Sequence, residues 1–432
     1  MYRKTVLDNG LRILTVAMPH VRSVGLGFLI GVGSRYESEE EAGASHFIEH
    51  MLFKGTEKRP TSKDLAVAIE GIGGFFNAST GRELTVYYAK VARPHLAVAV
   101  DVLVDMLRHS LFNPEEVEKE RRIIIEEINM VLDSPEDLVQ SLNYKLLWPD
   151  HPLGRDVMGT KESVSAMQRE ALLEYMQRYY TPGNIVFSIA GDIEHEAIVE
   201  YMASCFNGWQ SPGSDRGFSF LPAMGLATES GGAPHLCLHH RETEQTHLCL
   251  SVPGLSRHHP ERFALHLLNT ILGEGMSSRL FLEIRERQGL AYSIDSYVSS
   301  LHDTGALTAY AGVDPCSLPM AITAILREWD RLREEPVPEE ELVKAKEFIK
   351  GQLILQMENS SNVAAWYGRQ ELLLEEIMSV DEVIEAIEAV SAAELQSLSQ
   401  KLFCEEKLHL TVVGPLGEKS KAEMEISRLL KL

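Results

Sequence analysis

His46, Glu49 and His50 are the three residues whose types and spacing most plainly could do chemistry. If residues 44–56 (ASHFIEHMLFKGT) begin a helix, His46 and His50 lie one turn apart on one face, with Glu49 beside them. Two imidazoles at that spacing can hold one side of a zinc ion, and a neighbouring carboxylate can take a proton from zinc-bound water. The order His-x-x-Glu-His reverses the commoner His-Glu-x-x-His. Such a short pattern also arises by chance, and a lone histidine on an apolar helix face is ordinarily a satisfied core residue. A catalytic zinc usually takes three protein ligands, so a second element must supply the third.

Residues 118–130 (EKERRIIIEEINM) offer it. Ile124, Ile125 and Ile128 form an apolar stripe, and Glu120 and Glu127, two turns apart, share a face, with Glu126 a rival beside them. The second half of the chain repeats the grammar of the first. Strand 248–252, Ser256-Arg257 and helix 262–272 mirror strand 24–30, Ser34-Arg35 and the motif helix; 307–313 mirrors 85–91, and helix 320–332 mirrors the helix at 95–110. Counting from the matching prolines Pro114 and Pro338, Glu120 falls on Lys344 and Glu127 on Gly351. The segment matching the motif helix, 267–272, carries no His or Glu. The paired histidines and the distant carboxylates disappear in the same copy, which ties them to one site.

The elements that must position these residues read as α+β. Strands alternate with amphipathic helices in both halves, and a repeat of about 200 residues implies two duplicated domains rather than a solenoid. The expected division is a metal-binding domain over 1–209, a Gly/Ser/Pro-rich linker over 210–234, and a homologous metal-free domain over 235–432. Each domain should be a mostly antiparallel sheet with packed helices, the two forming a clam-like chamber.

Composition excludes several functions. The 432 residues are 44% hydrophobic, enough for two or more cores, and no apolar run approaches a membrane span. A formal charge of −22 makes nucleic acid an unsuitable partner. Five scattered cysteines without a Cys-x-x-Cys pair fit a reducing compartment, and residues 1–10 lack an apolar signal core, so the expected location is cytoplasmic.

With these residues in place the chain resembles the insulinase/pitrilysin-type (inverzincin) zinc metallopeptidases, close in size and layout to the processing-peptidase subgroup. The likeness runs through nearly the whole chain, in HFIEHMLFKGT from His46, Phe76-Asn77-Ala78, Val86-Tyr87-Tyr88 and Ile125-Glu126-Glu127-Ile128. It implies one zinc per active site held by His46, His50 and Glu127, with Glu49 as general base and Glu120 as an auxiliary carboxylate. Glu126 stays the rival third ligand, the repeat register and the family pattern favouring Glu127. In similar proteins an Arg and a Tyr seven apart reach the substrate from the metal-free domain, and here these would be Arg285 and Tyr292. A cation and a phenol aimed at a scissile carbonyl suit a developing oxyanion. The strand around Phe76, Asn77 and Ala78 should receive an extended peptide as an added strand. Asp137 lies where processing enzymes carry acidic residues that select substrate arginine, but Ser141 stands one turn further, which weakens that preference here. The resemblance thus implies a zinc endopeptidase cutting peptides or unfolded segments, commonly a homodimer. The alternative is a peptide-binding or structural subunit that has lost activity.

Overall fold

Strand β3 (Ser23–Ile30) is buried along nearly its whole length, and its sequence explains why. Val24, Leu26, Phe28 and Ile30 enter one core, while Gly25, Gly27 and Leu29 face the opposite side. A strand covered on both faces reads as a continuous apolar run rather than an alternation. In this computed structural model, residues 2–210, 220–223, 235–374, 376–417 and 419–431 are described. Most of the expected linker at 210–234 therefore lies outside the described residues.

The first sheet contains β1 (Tyr2–Val6), β2 (Arg12–Ala17), β3, β4 (Phe75–Thr80), β5 (Thr85–Ala92) and β6 (Ile185–Gly191), in the order β1-β2-β6-β3-β5-β4. The second contains β7 (His235–His240), β8 (Thr246–Pro253), β9 (Ala291–Ser300), β10 (Gly305–Val313) and β11 (His409–Gly414), in the order β7-β11-β8-β10-β9. In each sheet a single parallel pair, β2 with β6 and β7 with β11, is followed by antiparallel neighbours. Leaving out β1, the two orders superimpose strand for strand. The fold is α+β, with the same architecture built twice.

Helices α1 (Ala44–Leu52), α2 (Ser62–Glu70), α3 (Leu96–His109) and α4 (Pro114–Asp133) follow the first strands. Next comes α5 (Pro135–Leu147), which packs on β8 and β11 of the second sheet. Reciprocally, the helix Ser360–Leu373 packs on β3 and β6 of the first. The compact units are accordingly Met1–Ile128 with Asp156–Leu221 and Leu353–Ser379, and Asn129–Arg155 with Pro222–Gln352 and Val380–Leu432. This differs from a cut of the chain into 1–209 and 235–432: each unit takes a segment from the other half of the sequence. The physical reason is that an amphipathic helix specifies an apolar partner surface, not which sheet provides it.

Close approach seats the helix Ser360–Leu373. A Cβ on Gly25 would lie 2.4 Å from the backbone nitrogen of Ser361, so only glycine lets strand and helix meet there. Ser188 completes the seat by donating from Oγ to the Ala364 carbonyl at 2.6 Å. Among the described residues no helix is long and apolar enough to cross a membrane.

Candidate metal centre

Helix α1 buries Phe47, Ile48, Met51 and Leu52 in the first core, which turns His46, Glu49 and His50 to the other side, half-buried. Its N-terminus is set by groups outside the helix. Gly43 sits at φ 93°, in the left-handed region, and a Cβ there would meet the Met158 carbonyl oxygen at 2.4 Å. Glu37, buried, accepts from the Gly43 and Ser45 backbone N–H groups, each at 2.8 Å. A carboxylate at that end satisfies orphan donors and meets the positive end of the helix dipole. Ser45 Oγ lies 2.9 Å from the Tyr175 hydroxyl, a second tie to the neighbouring helix.

Helix α4 buries Val117, Ile124 and Ile128 together with Glu120. That registration brings Glu127 to the histidines. Its Oε2 is 3.8 Å from His46 Nε2 and 3.5 Å from His50 Nε2. Among the described residues one group of three, His46, His50 and Glu127, offers ligand atoms within 4.8 Å of one another. Tetrahedral zinc with bonds of roughly 2.0–2.1 Å holds its ligand atoms about 3.3 Å apart, so the donor set fits zinc with little closure. Glu126 is exposed and is not part of this group.

Glu120 takes a different place. Its Oε2 lies 3.0 Å from His50 Nδ1 and its Oε1 2.7 Å from Lys54 Nζ. A carboxylate accepts, so Nδ1 carries the proton and Nε2 keeps its lone pair for the site. Burial works to raise the Glu120 pKa, but the hydrogen bonds from His50 and Lys54 outweigh it and the net shift is downward. Burial, reinforced by His50, pushes the His46 imidazole down to about 4, which leaves it neutral and able to ligate. The Nδ1 of His46 is buried without a hydrogen-bond partner, so this ring lacks the outer support that Glu120 gives His50.

Glu49 is oriented by Thr80, whose Oγ1 donates to Oε2. Desolvation raises the Glu49 pKa above the ordinary carboxylate value, against the opposing pull of Thr80 and His50. Thr80 ends β4, the outer strand of the first sheet, so the other edge of β4 has no strand partner among the described residues. Phe76, Asn77 and Ala78 lie within it, opposite Ala89, Tyr88 and Tyr87 of β5. Phe76 stacks toward Phe53 at 5.3 Å between ring centroids, and Asn77 Oδ1 accepts from the Ala78 N–H at 2.8 Å.

Arg285 and Tyr292 belong to the second unit and are held together there. The Arg285 guanidinium sits 4.9 Å from the Phe281 ring centroid and 5.5 Å from that of Tyr292, which is itself 75% exposed. Arg285 rides on a π-helical segment, Phe281–Arg287. Asp137 lies in the first turn of α5, where its N–H donates to Ser134 Oγ. Sequence reasoning passed over Glu37, Lys54 and Thr80. Lys54 had a usable signal, since positions 46, 50 and 54 are spaced four residues apart, with Lys54 just past the end of α1. Thr80 had none, because it reaches Glu49 from a separate strand, and Glu37 lies six and eight residues before the N–H groups it accepts from, outside any capping-box spacing.

Known proteins similar to this chain are described as peptidases. Residues 12–161 match the family described as Insulinase (Peptidase family M16), and residues 166–349 match the Peptidase M16 inactive domain. The chain is 38% identical to the uncharacterized zinc protease YmxG of Bacillus subtilis, over 96% of this chain and 99% of that protein. It is 36% identical to an uncharacterized zinc protease of Streptomyces coelicolor, over 98% of this chain and 91% of the relative. The chain belongs to the insulinase (M16) family of peptidases. In fold it is similar to a protease from Helicobacter pylori, with TM-score 0.88 and 21% identity, covering 96% of this chain and all (100%) of that one. A Pseudomonas fluorescens structure described as a peptidase M16 inactive domain gives TM-score 0.86 at 16% identity, covering 96% and 98% of the two chains.

Proposed function

We propose that this protein is a zinc endopeptidase that cuts peptides or unfolded polypeptide segments in the manner of a processing peptidase. The observation that carries the reading is the meeting of His46, His50 and Glu127 from two separate helices, with Glu49 alongside. His46, His50 and Glu127 would hold a zinc ion, which would supply Lewis acidity for the peptide carbonyl and for the attacking water. Glu49 takes the proton lost by the attacking water and returns it to the leaving amine, a two-way task suited by a pKa that burial raises. Thr80 holds the carboxylate in place for both transfers, and Glu120 keeps the His50 ring turned toward Glu127. The open edge of β4 receives the substrate backbone as an added strand, so the enzyme reads extended chain rather than one sequence. Arg285 and Tyr292 are assigned to the substrate, where a guanidinium and a phenol donate to the reacting carbonyl. We assign the protein to the cytoplasm and to a homodimer.

The competing reading, a catalytically silent peptide-binding subunit, predicts no cleavage although peptide still binds. Incubating the purified chain with a mixed peptide library and identifying new termini separates the two. The proposal expects cuts that vanish with a zinc chelator. It also expects them to fall at least about a hundredfold in Glu49→Gln, since the base is lost while the ligands remain. Equal cleavage by Glu49→Gln and wild type would remove Glu49 from the base role.

A further inference from the structure

Lys54 follows the end of α1, one turn beyond His50, with its N–H donating to the Met51 carbonyl at 3.0 Å. Its ammonium and His50 reach the same carboxylate from neighbouring turns, one to each oxygen of Glu120. Glu120 is only 2% exposed, so few other donors can reach it. A glutamate carboxylate turns broadly about its last side-chain bond, and a single hydrogen bond leaves that rotation loose. A second donor on the other oxygen fixes the plane.

We propose that Lys54 is a positioning residue for the metal ligand His50, acting through Glu120. The ammonium anchors Oε1, which aims Oε2 at His50 Nδ1–H and keeps His50 Nε2 directed at the site, 3.5 Å from Glu127 Oε2. A second observation supports the assignment. In the metal-free half the counterpart of Glu120 is Lys344, whose Nζ donates instead to the Ser277 carbonyl at 2.8 Å. The lysine–glutamate–histidine relay therefore occurs in the copy that carries the ligands. The inference rests on the zinc-peptidase reading, but its test does not need activity.

The full chain is compared as wild type, Lys54→Met, Lys54→Gln and Lys54→Arg. Zinc affinity is read by competition with a chromophoric chelator, and the His50 tautomer by ¹⁵N NMR on zinc-free protein at a pH where imidazole is neutral. Thermal midpoints check that each variant is folded. Loss of an outer partner of a ligand typically weakens metal binding ten- to a hundredfold, so Lys54→Met and Lys54→Gln should lose about tenfold in zinc affinity. Both should raise the share of His50 protonated at Nε2, and Lys54→Arg should restore most of each effect. Unchanged affinity and tautomer in folded Lys54→Met or Lys54→Gln overturn the proposal. So does an equal loss in Lys54→Arg, which would assign the effect to packing rather than to the cation. A wild type that takes up no zinc sinks the peptidase reading, while the tautomer measurement still decides the role of Lys54.

Discussion

The hydroxyl of Thr80 donates to the Glu49 carboxylate, joining the last residue of the edge strand β4 to the middle of the helix that bears both histidines. The strand proposed to receive substrate is thereby tied to the group proposed to move protons. Misplacing a catalytic group by about an ångström can cost a hundredfold in rate. Thr80→Val should therefore lower kcat about ten- to a hundredfold with zinc content unchanged, and Thr80→Ser should stay near wild type. Steady-state kinetics alongside metal analysis checks this; a Thr80→Val enzyme of normal kcat would show that Glu49 needs no such support.

Glu37 supports the same helix from its other end. Its two oxygens take the Gly43 and Ser45 N–H groups, and a glutamine can offer only one acceptor and no charge. Glu37→Gln should cost about 1–2 kcal/mol of stability, in the range of a lost helix cap. It should also weaken zinc binding, because α1 carries two of the ligands. A thermal melt and a chelator competition should both shift; no change in either would leave α1 held by its packing alone.

At Gly25 the strand and the helix Ser360–Leu373 are too close for any side chain. Gly25→Ala would place its Cβ 2.4 Å from Ser361 N and 2.5 Å from Ser361 Cα, both backbone atoms that yield only if the helix moves. The expected loss is about 1–3 kcal/mol, read as a lower urea midpoint. An unshifted midpoint would mean that this helix is not seated on β3 as described.

His409 supplies a pH dependence away from the metal site. Burial, with His235 adding to it against a hydrogen bond to the Lys407 carbonyl, brings its pKa down to about 4. The unfolded chain takes up this proton near pH 6.5, whereas the folded chain resists until about pH 4. Between those values the unfolded state binds more protons, so stability falls as pH drops, by up to about 3 kcal/mol from this residue. Above pH 6.5 and below about 4 the contribution is flat. Urea midpoints at pH 7.5 and 4.5 should therefore fall less in His409→Leu than in wild type. Equal losses would place the acid sensitivity elsewhere.

Much of the fold could be read from periodicity. The strands around β3, β5 and β6, the helices α1 to α4 and the duplication all follow from where apolar residues recur. What could not be read is which helix covers which sheet. The sequences of α5 and of the helix Ser360–Leu373 do not name a partner sheet, and only contacts distant along the chain place each on the other half's sheet. Strand β7 (HLCLHH) also escaped, because a half-buried edge strand rich in histidine gives a weak alternation. At the site, residues sharing one helix were legible through their spacing. Glu37 stands in an acidic loop over 37–41 that does not mark it out in the sequence, yet the fold buries it against α1. Arg285 could be picked out by motif, but not the π-helical turn that sets it over Tyr292.

The central claim is that His46, His50 and Glu127 together hold one zinc ion. Metal analysis of the purified wild type and of Glu127→Ala, each equilibrated with limiting zinc and then desalted, tests it most directly. The account predicts about one zinc per wild-type chain and almost none in Glu127→Ala, since a site reduced to two imidazoles loses most of its affinity. Wild type without zinc, or full zinc in Glu127→Ala, would contradict it.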